Sequence, residues 1–322
     1  MFMRQVLIAM VLAAGAAAAS AQDYPNKPIQ LVIPYAPSGA ADLTGRVLAR
    51  RLAERLGQPV VVVDRPGANG NIAAESVAKS APDGYTLLLG ANGTHGINPA
   101  LYAKIPYDPV KDFAPVALTF TYPSFLVVNP AFPAKSVKEL VEYVRAHPGE
   151  VNYASLGNGT VGHLAAEILK TRMGLNMVHI PFRGGAEAVH EVITGRVQVT
   201  IANVPLVLPQ MRAGTVRVLA FTSSRRSKDA PEIPTMAESG IPDYDVSAWM
   251  GMLAPAGTPR DVVKRLAAEL ATIANMQDYR DQLDKMGAEV IQNSSPEHFA
   301  AFIRAELVKW AKAVKDSGAK ID

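Results

Sequence analysis

The sequence predicts an α/β fold of two lobes that face each other across a central ligand cleft. Short apolar runs alternate with segments of helical spacing, first between Ile29 and Leu89 and again after Pro133. Such β-α-β alternation indicates a parallel sheet with helices on both faces. The 322 residues suffice for two such units, and apolar segments between the two series would connect them.

The first series begins with a short apolar run at 29–33, which predicts a buried strand. A helix follows, because apolar residues recur at helical spacing from Leu43 to Leu56 and Gly57 stops the pattern. The next predicted elements are a strand at 60–63, a helix at 72–79 and a strand at 85–89.

Two proline-flanked segments, 117–121 and 125–128, predict short connecting strands. The second series is then predicted as helix 137–145, strand 151–154, helix 162–171, strand 177–181, helix 186–194 and strands 197–201 and 216–222. The tail from Pro259 has a mainly helical pattern, so we expect it to return to the first lobe. The predicted division is 22–121 for the first lobe, 122–245 for the second and 246–322 for the return.

The first residues are typical of an export signal. Arg4 precedes an uninterrupted run of apolar and small residues at 6–19, and Ala19-Ser20-Ala21 fits the small-x-small cleavage rule. The run is too short and too rich in alanine for a good membrane span. A buried N-terminal helix is the less favoured alternative. We therefore expect 1–21 to be a signal peptide, cleaved after Ala21, and the mature protein to be periplasmic.

The composition excludes several classes of protein. The chain has no cysteine, which excludes disulfides, thiolate chemistry, Cys-based zinc sites and a lipid anchor on a lipobox cysteine. The net charge is only +3, and no basic stripe with interleaved aromatic residues is present, so no nucleic acid partner is expected.

Candidate binding residues lie in the loops that follow the predicted strands, because ligands in open α/β sheets bind beyond the carboxyl ends of strands. Three such loops, at 34–42, 155–163 and 182–186, are built from small residues and lead into helices. Their backbone amides and the positive end of the helix dipole can bind an anion. For the first loop, an ordinary tight turn is an equally good interpretation.

The predicted site comes mostly from these three loops. Asp42 is expected to cap the first helix or to hold its loop. Arg183 could fork onto a carboxylate, although an exposed, solvated arginine is at least as good an interpretation. The predicted ligand-binding set is Tyr35, Ala36, Ser38, Gly39, Ala40, Ala41, Asp42, Asn92, Thr94, Ser155, Gly157, Asn158, Gly159, Thr160, Arg183, Gly184, Gly185, Ala186 and Asn203.

Enzymatic and cofactor functions have little support. Gly157, Gly159 and Gly162 match G-x-G-x-x-G, but no acidic residue ends the next strand, so a dinucleotide site is rejected. No G-x-S-x-G elbow, H-E-x-x-H motif or P-loop is present. We expect no cofactor and no metal; His179 and His190 have a poor spacing for one. A periplasmic enzyme that uses His163 with Ser155 or Thr160 is the alternative.

In this order, the loops resemble those of the substrate-binding proteins of tripartite tricarboxylate transporters, the Bug family. The resemblance runs from about Tyr24 to the C-terminus. The residues that carry it are Tyr24-Pro25, Pro34-Tyr35-Ala36-Pro37-Ser38-Gly39 with Asp42 and Arg46, Pro82-Asp83-Gly84-Tyr85-Thr86-Leu87, Gly157-Asn158-Gly159-Thr160 with His163-Leu164, Pro181-Phe182-Arg183-Gly184 and Ile233-Pro234-Thr235-Met236.

The resemblance implies a type II periplasmic binding protein, a Venus flytrap that closes on one small carboxylate and serves membrane transporter subunits, with a monomer expected. Similar proteins hold the carboxylate with loop amides, hydroxyls and ordered water. This sequence departs from them by Ser38 where glycine is usual, by Ala40-Ala41 where a hydroxyl residue often occurs, and by Asn203 where aspartate is common. A ligand-sensing partner of a membrane kinase has the same fold and stays an alternative.

Overall fold

The computed structural model of the protein describes residues 24–227 and 230–319. The predicted signal peptide and its cleavage site after Ala21 lie outside the described residues. Within those ranges, no helix combines the length and the apolar character needed to cross a bilayer.

Strands and helices alternate through both halves of the described chain. The strands are β1 (Ile29–Ile33), β2 (Val60–Asp64), β3 (Thr86–Ala91), β4 (Phe113–Val128), β5 (Asn152–Ser155), β6 (Val178–Pro181), β7 (Val199–Asn203), β8 (Arg217–Phe221), β9 (Ser247–Pro255) and β10 (Glu289–Val290). The helices are α1 (Ala40–Leu56), α2 (Asn71–Ala78), α3 (Asn98–Leu101), α4 (Val137–Ala146), α5 (Val161–Met173), α6 (Gly185–Ile193), α7 (Val204–Arg212), α8 (Arg260–Asn275), α9 (Gln277–Lys285) and α10 (Pro296–Ser317).

The strands form two half-sheets of the same design, which share β4. The first has the order β2-β1-β3-β9-β4, with β1, β2 and β3 parallel and β9 antiparallel beside β3. The second has the order β6-β5-β7-β4-β8, with β5, β6 and β7 parallel and β4 antiparallel beside β7. Each half-sheet therefore places the carboxyl ends of three parallel strands at one edge, where ligands bind in such sheets.

The connection between the half-sheets corrects one prediction. The sequence predicts two short strands, at 117–121 and 125–128, but the structure has the single 16-residue strand β4. Pro123 pairs with Ser247, the first residue of β9, and the next residue, Ser124, already pairs with Asn203 of β7. The missing N–H of Pro123 thus falls where β4 passes from one half-sheet to the other, so that this proline removes no bond from the middle of either ladder.

Helix α7 is absent from the prediction. It contains Pro205 and Pro209, and prolines argue against a helix in a sequence pattern. Pro205 lies in the first turn, where the backbone N–H needs no partner, and Pro209 comes only one turn later. The π turn at Gly93–Ile97 and helix α3 are also unpredicted.

The helical tail packs against both halves of the molecule. Helix α8 packs on α1 and β4, whereas α10 packs on α3 and β4 in the first half and on α5 in the second. Trp310 and Val314 of α10 share a buried cluster with Leu164 of α5. The division of the chain into 22–121, 122–245 and 246–322 therefore stays a prediction.

Both tryptophans of the chain converge on one buried carboxylate. Trp249 Nε1 in β9 and Trp310 Nε1 in α10 donate to Glu306 Oε2, at 2.7 Å and 2.6 Å. Asn92 Nδ2 donates to the same oxygen at 3.2 Å, and Lys309 Nζ lies 3.1 Å from Oε1. These charge-assisted bonds fix α10 to the crossing strand β9.

Candidate functional site

The first predicted loop, 34–42, leaves β1 and enters α1. Ser38 has a φ of 65°, in the left-handed region that favours glycine, which gives a physical reason for glycine at this position in similar proteins. Its backbone N–H donates to Asp42 Oδ2 at 2.7 Å. Asp42 thus holds the loop and does not cap α1, whose N-cap residue is Gly39.

Several backbone amides at the start of α1 are unpaired. Within the described residues, the N–H groups of Gly39, Ala40 and Ala41 have no hydrogen-bond partner. Ala36 through Gly39 are exposed. A carboxylate at this position would meet unpaired donors together with the positive end of the α1 dipole.

Arg46 forms ion pairs with two carboxylates next to this loop. Arg46 Nε is 2.5 Å from Asp42 Oδ1, and Arg46 Nη2 is 2.8 Å from Asp64 Oδ2 at the end of β2. Burial, followed by the negative charge of Asp42, raises the pKa of Asp64, although Arg46 opposes the shift. The Arg46 guanidinium therefore forms ion pairs with both carboxylates. Asp42, which holds the first loop, is thus itself held by an ion pair.

The second predicted loop, between β5 and α5, is tied down by its own side chains. Gly157 N donates to Ser155 Oγ at 3.1 Å, Gly159 N donates to His163 Nδ1 at 3.0 Å, and Thr160 Oγ1 donates to Gly157 O at 2.8 Å. Both glycines have positive φ, 117° and 73°. The Thr160 N–H also donates, to Gly157 O at 3.4 Å, so three loop amides are occupied. Those of Asn158, Val161 and Gly162 have no partner within the described residues.

A stack of three rings supports the second loop. His179 lies between Tyr153 and His163, with ring centroids 4.8 Å and 4.1 Å away. Burial lowers the pKa of His163, and burial together with His163 lowers the pKa of His179 to about 4. Both imidazoles are thus uncharged at neutral pH, which suits His163 because its Nδ1 accepts the Gly159 N–H.

The third predicted loop lies beside the second. Phe182 N donates to Ser155 O at 2.9 Å, which continues the pairing of β5 with β6. Arg183 is exposed, and its backbone N–H donates to Glu187 Oε2 at 3.2 Å. Gly184 is the N-cap residue of α6, and the amides of Gly185 and Ala186 have no partner within the described residues.

The remaining predicted residues are differently placed. Asn92 Oδ1 accepts from Trp249 N at 2.7 Å, Thr94 Oγ1 accepts from Ala91 N at 3.0 Å, and both residues are buried. Asn203 Oδ1 accepts from Ser124 Oγ at 2.9 Å. Tyr35 has no hydrogen bond from its hydroxyl in the described part of the chain, and burial raises its pKa to about 12. Ligand contacts by these four residues stay predictions.

A turn that the sequence assigns no role joins the first and second loops. Gly70 lies so close to Pro34 that an added Cβ would come within 2.9 Å of Pro34 Cβ. The preceding residue, Asn69, reaches the second lobe, where its Nδ2 lies 3.3 Å from Gly159 O. The short turn Ala68–Gly70 thus contacts both the start of the first loop and the second loop.

The geometry gives no support to the catalytic alternative. Ser155 is inaccessible to solvent, and its Oγ lies 2.6 Å from Nε2 of His179, a different histidine from the predicted His163. Thr160 Oγ1 donates to a loop carbonyl. A nucleophile needs both an activating base and access to the substrate, and neither hydroxyl has both.

Comparisons with known proteins agree with this architecture. The family model of the tripartite tricarboxylate transporter family receptor matches residues 44–319 of this chain. Protein BugT of Bordetella pertussis is 38% identical over 307 residues, which cover 95% of this chain and 94% of that protein. A UPF0065 protein of Cupriavidus necator, from the gbd 5′ region, is 36% identical over 306 residues, covering 95% of this chain and 92% of that protein.

Solved structures are also similar. The structure of Rpa4515 of R. palustris with adipate is 36% identical, with a TM-score of 0.85, and the match covers 93% of this chain and 100% of that one. MatC (Rpa3494) from Rhodopseudomonas palustris with bound malate is 33% identical, with a TM-score of 0.80, covering 90% of this chain and 100% of that one.

These matches confirm the predicted fold class, an α/β two-lobe periplasmic binding protein, and they extend over almost the whole described chain. They also confirm the resemblance drawn from the loop sequences, and with it the predicted role as a solute-binding protein. The chain belongs to the tripartite tricarboxylate transporter receptor family and is a periplasmic solute-binding protein of the Bug type.

Proposed function

We propose that the protein captures a dicarboxylate of four to six carbons, one carboxylate of which is bound by backbone amides of the first and second loops. The observation that carries the proposal is a set of unpaired amides in each of two loops that contact the same turn, Ala68–Gly70, through Pro34 and Gly159. They belong to Gly39, Ala40 and Ala41 in one lobe and to Asn158, Val161 and Gly162 in the other. The acid sizes follow the adipate and malate bound by two relatives.

Backbone donors of this kind are sufficient for binding. They are fixed before the ligand arrives, whereas an arginine side chain must be immobilised on binding. Each hydrogen bond to a charged group is worth about 1.5–3 kcal/mol net, so four or five give micromolar affinity. Arg183 contributes less in this proposal, because its side chain is exposed. The Thr160 proton is already donated to Gly157 O, so its hydroxyl acts through the loop.

We further propose that the monomeric, loaded protein docks on the membrane subunits of a tripartite transporter and releases its ligand unchanged. Membership of the receptor family supports transport over sensing. The buried Ser155 hydroxyl and the low pKa of His179 argue against turnover, because neither an accessible nucleophile nor a base matched to neutral pH is at hand.

A thermal-shift panel tests the ligand class. Adipate, malate and succinate are compared with benzoate, with amino acids and with adipamide, the uncharged diamide of adipate. A ligand at 100 times its Kd stabilises the native state by about 2.7 kcal/mol. We expect at least one dicarboxylate to raise the melting temperature and adipamide to leave it unchanged. Equal shifts with adipate and adipamide, or no shift with any dicarboxylate, would refute the proposal.

A further inference from the structure

We propose that Asn69 is a positioning residue that latches the two lobes together over the ligand and slows its release. Resting on the proposed binding at the first and second loops, this inference gives Asn69 a role outside the carboxylate-binding groups. It is carried by one hydrogen bond across the cleft and by the rigid support behind it.

The side chain of Asn69 spans the cleft. Its Nδ2 donates to Gly159 O in the second lobe at 3.3 Å and to Asn98 Oδ1 in the first lobe at 2.8 Å. The two donor hydrogens of one amide thus connect the floor of the first lobe with the loop of the second. Because the first of these bonds joins the two lobes, separation of the lobes at this point would break it.

The first lobe holds Asn69 rigidly. Asn98 Nδ2 donates to Asn69 O at 3.0 Å and to Asn71 Oδ1 at 2.7 Å, and Tyr107 Oη donates to the same Asn71 oxygen at 2.8 Å. Asn71, Asn98 and Tyr107 are all buried. A network with its polar groups satisfied in this way fixes the direction of the Asn69 amide.

The backbone conformation selects asparagine at this position. Ala68 and Asn69 have φ values of 47° and 50°, in the left-handed region. Asparagine is among the few residues with a side chain that adopt this region readily. Glycine would adopt it too, but it offers no donor, so residue 69 meets a conformational and a hydrogen-bonding demand together.

In the second lobe, Gly159 makes a hydrogen bond with each of its backbone groups. Gly159 N donates to His163 Nδ1 at 3.0 Å, while Gly159 O accepts from Asn69. The orientation of the glycine is therefore fixed by both lobes in the closed state. The unpaired amides of Asn158 and Val161 lie on either side of it along the chain. Loss of the Asn69 bond should free this loop and let the cleft open more readily.

The expected effect is kinetic. A net contribution typical of one uncharged hydrogen bond corresponds to about a three- to tenfold change in an equilibrium constant. Because the bond forms only on closure, the change should appear in the dissociation rate and leave the association rate nearly unchanged.

The test uses two variants and one charge control. Asn69→Asp keeps the size and the tolerance of positive φ, but it places a carboxylate against Asn98 Oδ1 and Gly159 O. Asn69→Gly keeps the backbone conformation and removes the side chain. Asn293→Asp makes the same change of charge at an exposed position away from the cleft. Melting temperatures identify any variant that is poorly folded, in which case Asn69→Gly carries the test.

Two measurements follow. Small-angle scattering without ligand should give a larger radius of gyration for Asn69→Asp than for the wild type and Asn293→Asp. Stopped-flow tryptophan fluorescence with adipate and malate should give a dissociation rate about three- to tenfold faster for Asn69→Gly, and faster still for Asn69→Asp.

The outcomes separate the two proposals. If the wild type binds adipate or malate and both Asn69 variants release it at the wild-type rate, the latch is wrong while the proposed function stands. If neither acid binds the wild type, the proposed ligand class is wrong. The scattering measurement without ligand then tests the latch by itself. An unchanged radius of gyration for Asn69→Asp would then overturn the latch.

Discussion

The first and second loops have the same design in the sequence but different physical support. Both are made of small residues and join a parallel strand to a helix. The first loop is exposed and is held by the carboxylate of Asp42, whereas the second is held by Ser155 and by the uncharged imidazole of His163. The two loops that we propose as ligand-binding should therefore respond differently to added charge and to pH.

The largest expected effect comes from adding a charge to the exposed first loop. Ser38→Asp fits the left-handed backbone, because aspartate and asparagine tolerate positive φ. Its carboxylate would occupy the loop amides and repel the ligand. We expect binding of a confirmed dicarboxylate to weaken by about 100-fold or more, since like charges brought together cost several kcal/mol.

Ser38→Asn is the matched control, with the same shape and no charge. Calorimetry should show its affinity within a few-fold of the wild type. If Ser38→Asp binds as tightly as Ser38→Asn, the first loop does not contact the ligand carboxylate, and the comparison of the two loops loses its functional meaning.

The second loop should be the acid-sensitive one. The lowered pKa of His163 and of His179, about 4 for the latter, means that both rings resist protonation in the folded state. Their contribution to stability is complete above the ordinary histidine pKa of about 6.5 and is lost as the pH falls from there toward 4.

Urea unfolding at a series of pH values checks this expectation. The free energy of unfolding should decline between pH 6.5 and 4, and the decline should be shallower in His179→Phe, which keeps a ring in the stack and cannot take up a proton. Dicarboxylate affinity should fall in parallel, because a protonated His163 Nδ1 no longer accepts the Gly159 N–H. An identical slope in wild type and variant would show that these rings do not control the loop.

A smaller effect is expected from Thr160→Val. The hydroxyl donates to Gly157 O, so the substitution removes a bond inside the loop and leaves the free amides in place. We expect affinity to weaken by about three- to tenfold through loss of order, with a size typical of one hydrogen bond. Calorimetry at neutral pH measures it, and Thr194→Val, at an exposed helix end, is the control. Complete loss of binding would instead indicate direct contact with the ligand.

The smallest effect is expected from Arg183→Gln. The side chain is exposed, and exposed charges contribute only about 0.2–1 kcal/mol in most measurements. Affinity should therefore change by less than about fivefold, and the change should shrink as salt is added. Abolished binding would mean that Arg183 clamps a ligand carboxylate directly, contrary to the amide-based proposal.

The sequence predicts what depends on local patterns. The strand at Ile29–Ile33 and the stop of α1 at Gly57 are confirmed, since period and glycine signals are local. The unbroken β4 is not predictable in this way, because its two halves pair with strands that come much later in the chain. Helix α7 escapes prediction because it packs on β4, β7 and α6, and these tertiary contacts override the unfavourable signal of its two prolines.

In the candidate site, too, local features are predictable from the sequence and long-range contacts are not. The small-residue loops are visible because their composition alone permits close approach to an anion. The roles of Asn69 and His179 are not visible, because each depends on a partner distant in sequence, Gly159 for one and Ser155 for the other. Which loop amides are free is equally a tertiary property, decided by side chains such as His163.

Amide NMR during a titration tests the central claim most directly. The claim is that ligand carboxylate is bound by backbone N–H groups of both lobes together. With a dicarboxylate identified by thermal shift, the amide protons of Ala40, Ala41 and Gly162 should move downfield in parallel, with the same Kd. The amides of Gly157 and Gly159, already bonded within the protein, should move much less. Shifts confined to one lobe, or confined to the Arg183 side chain, would contradict the account.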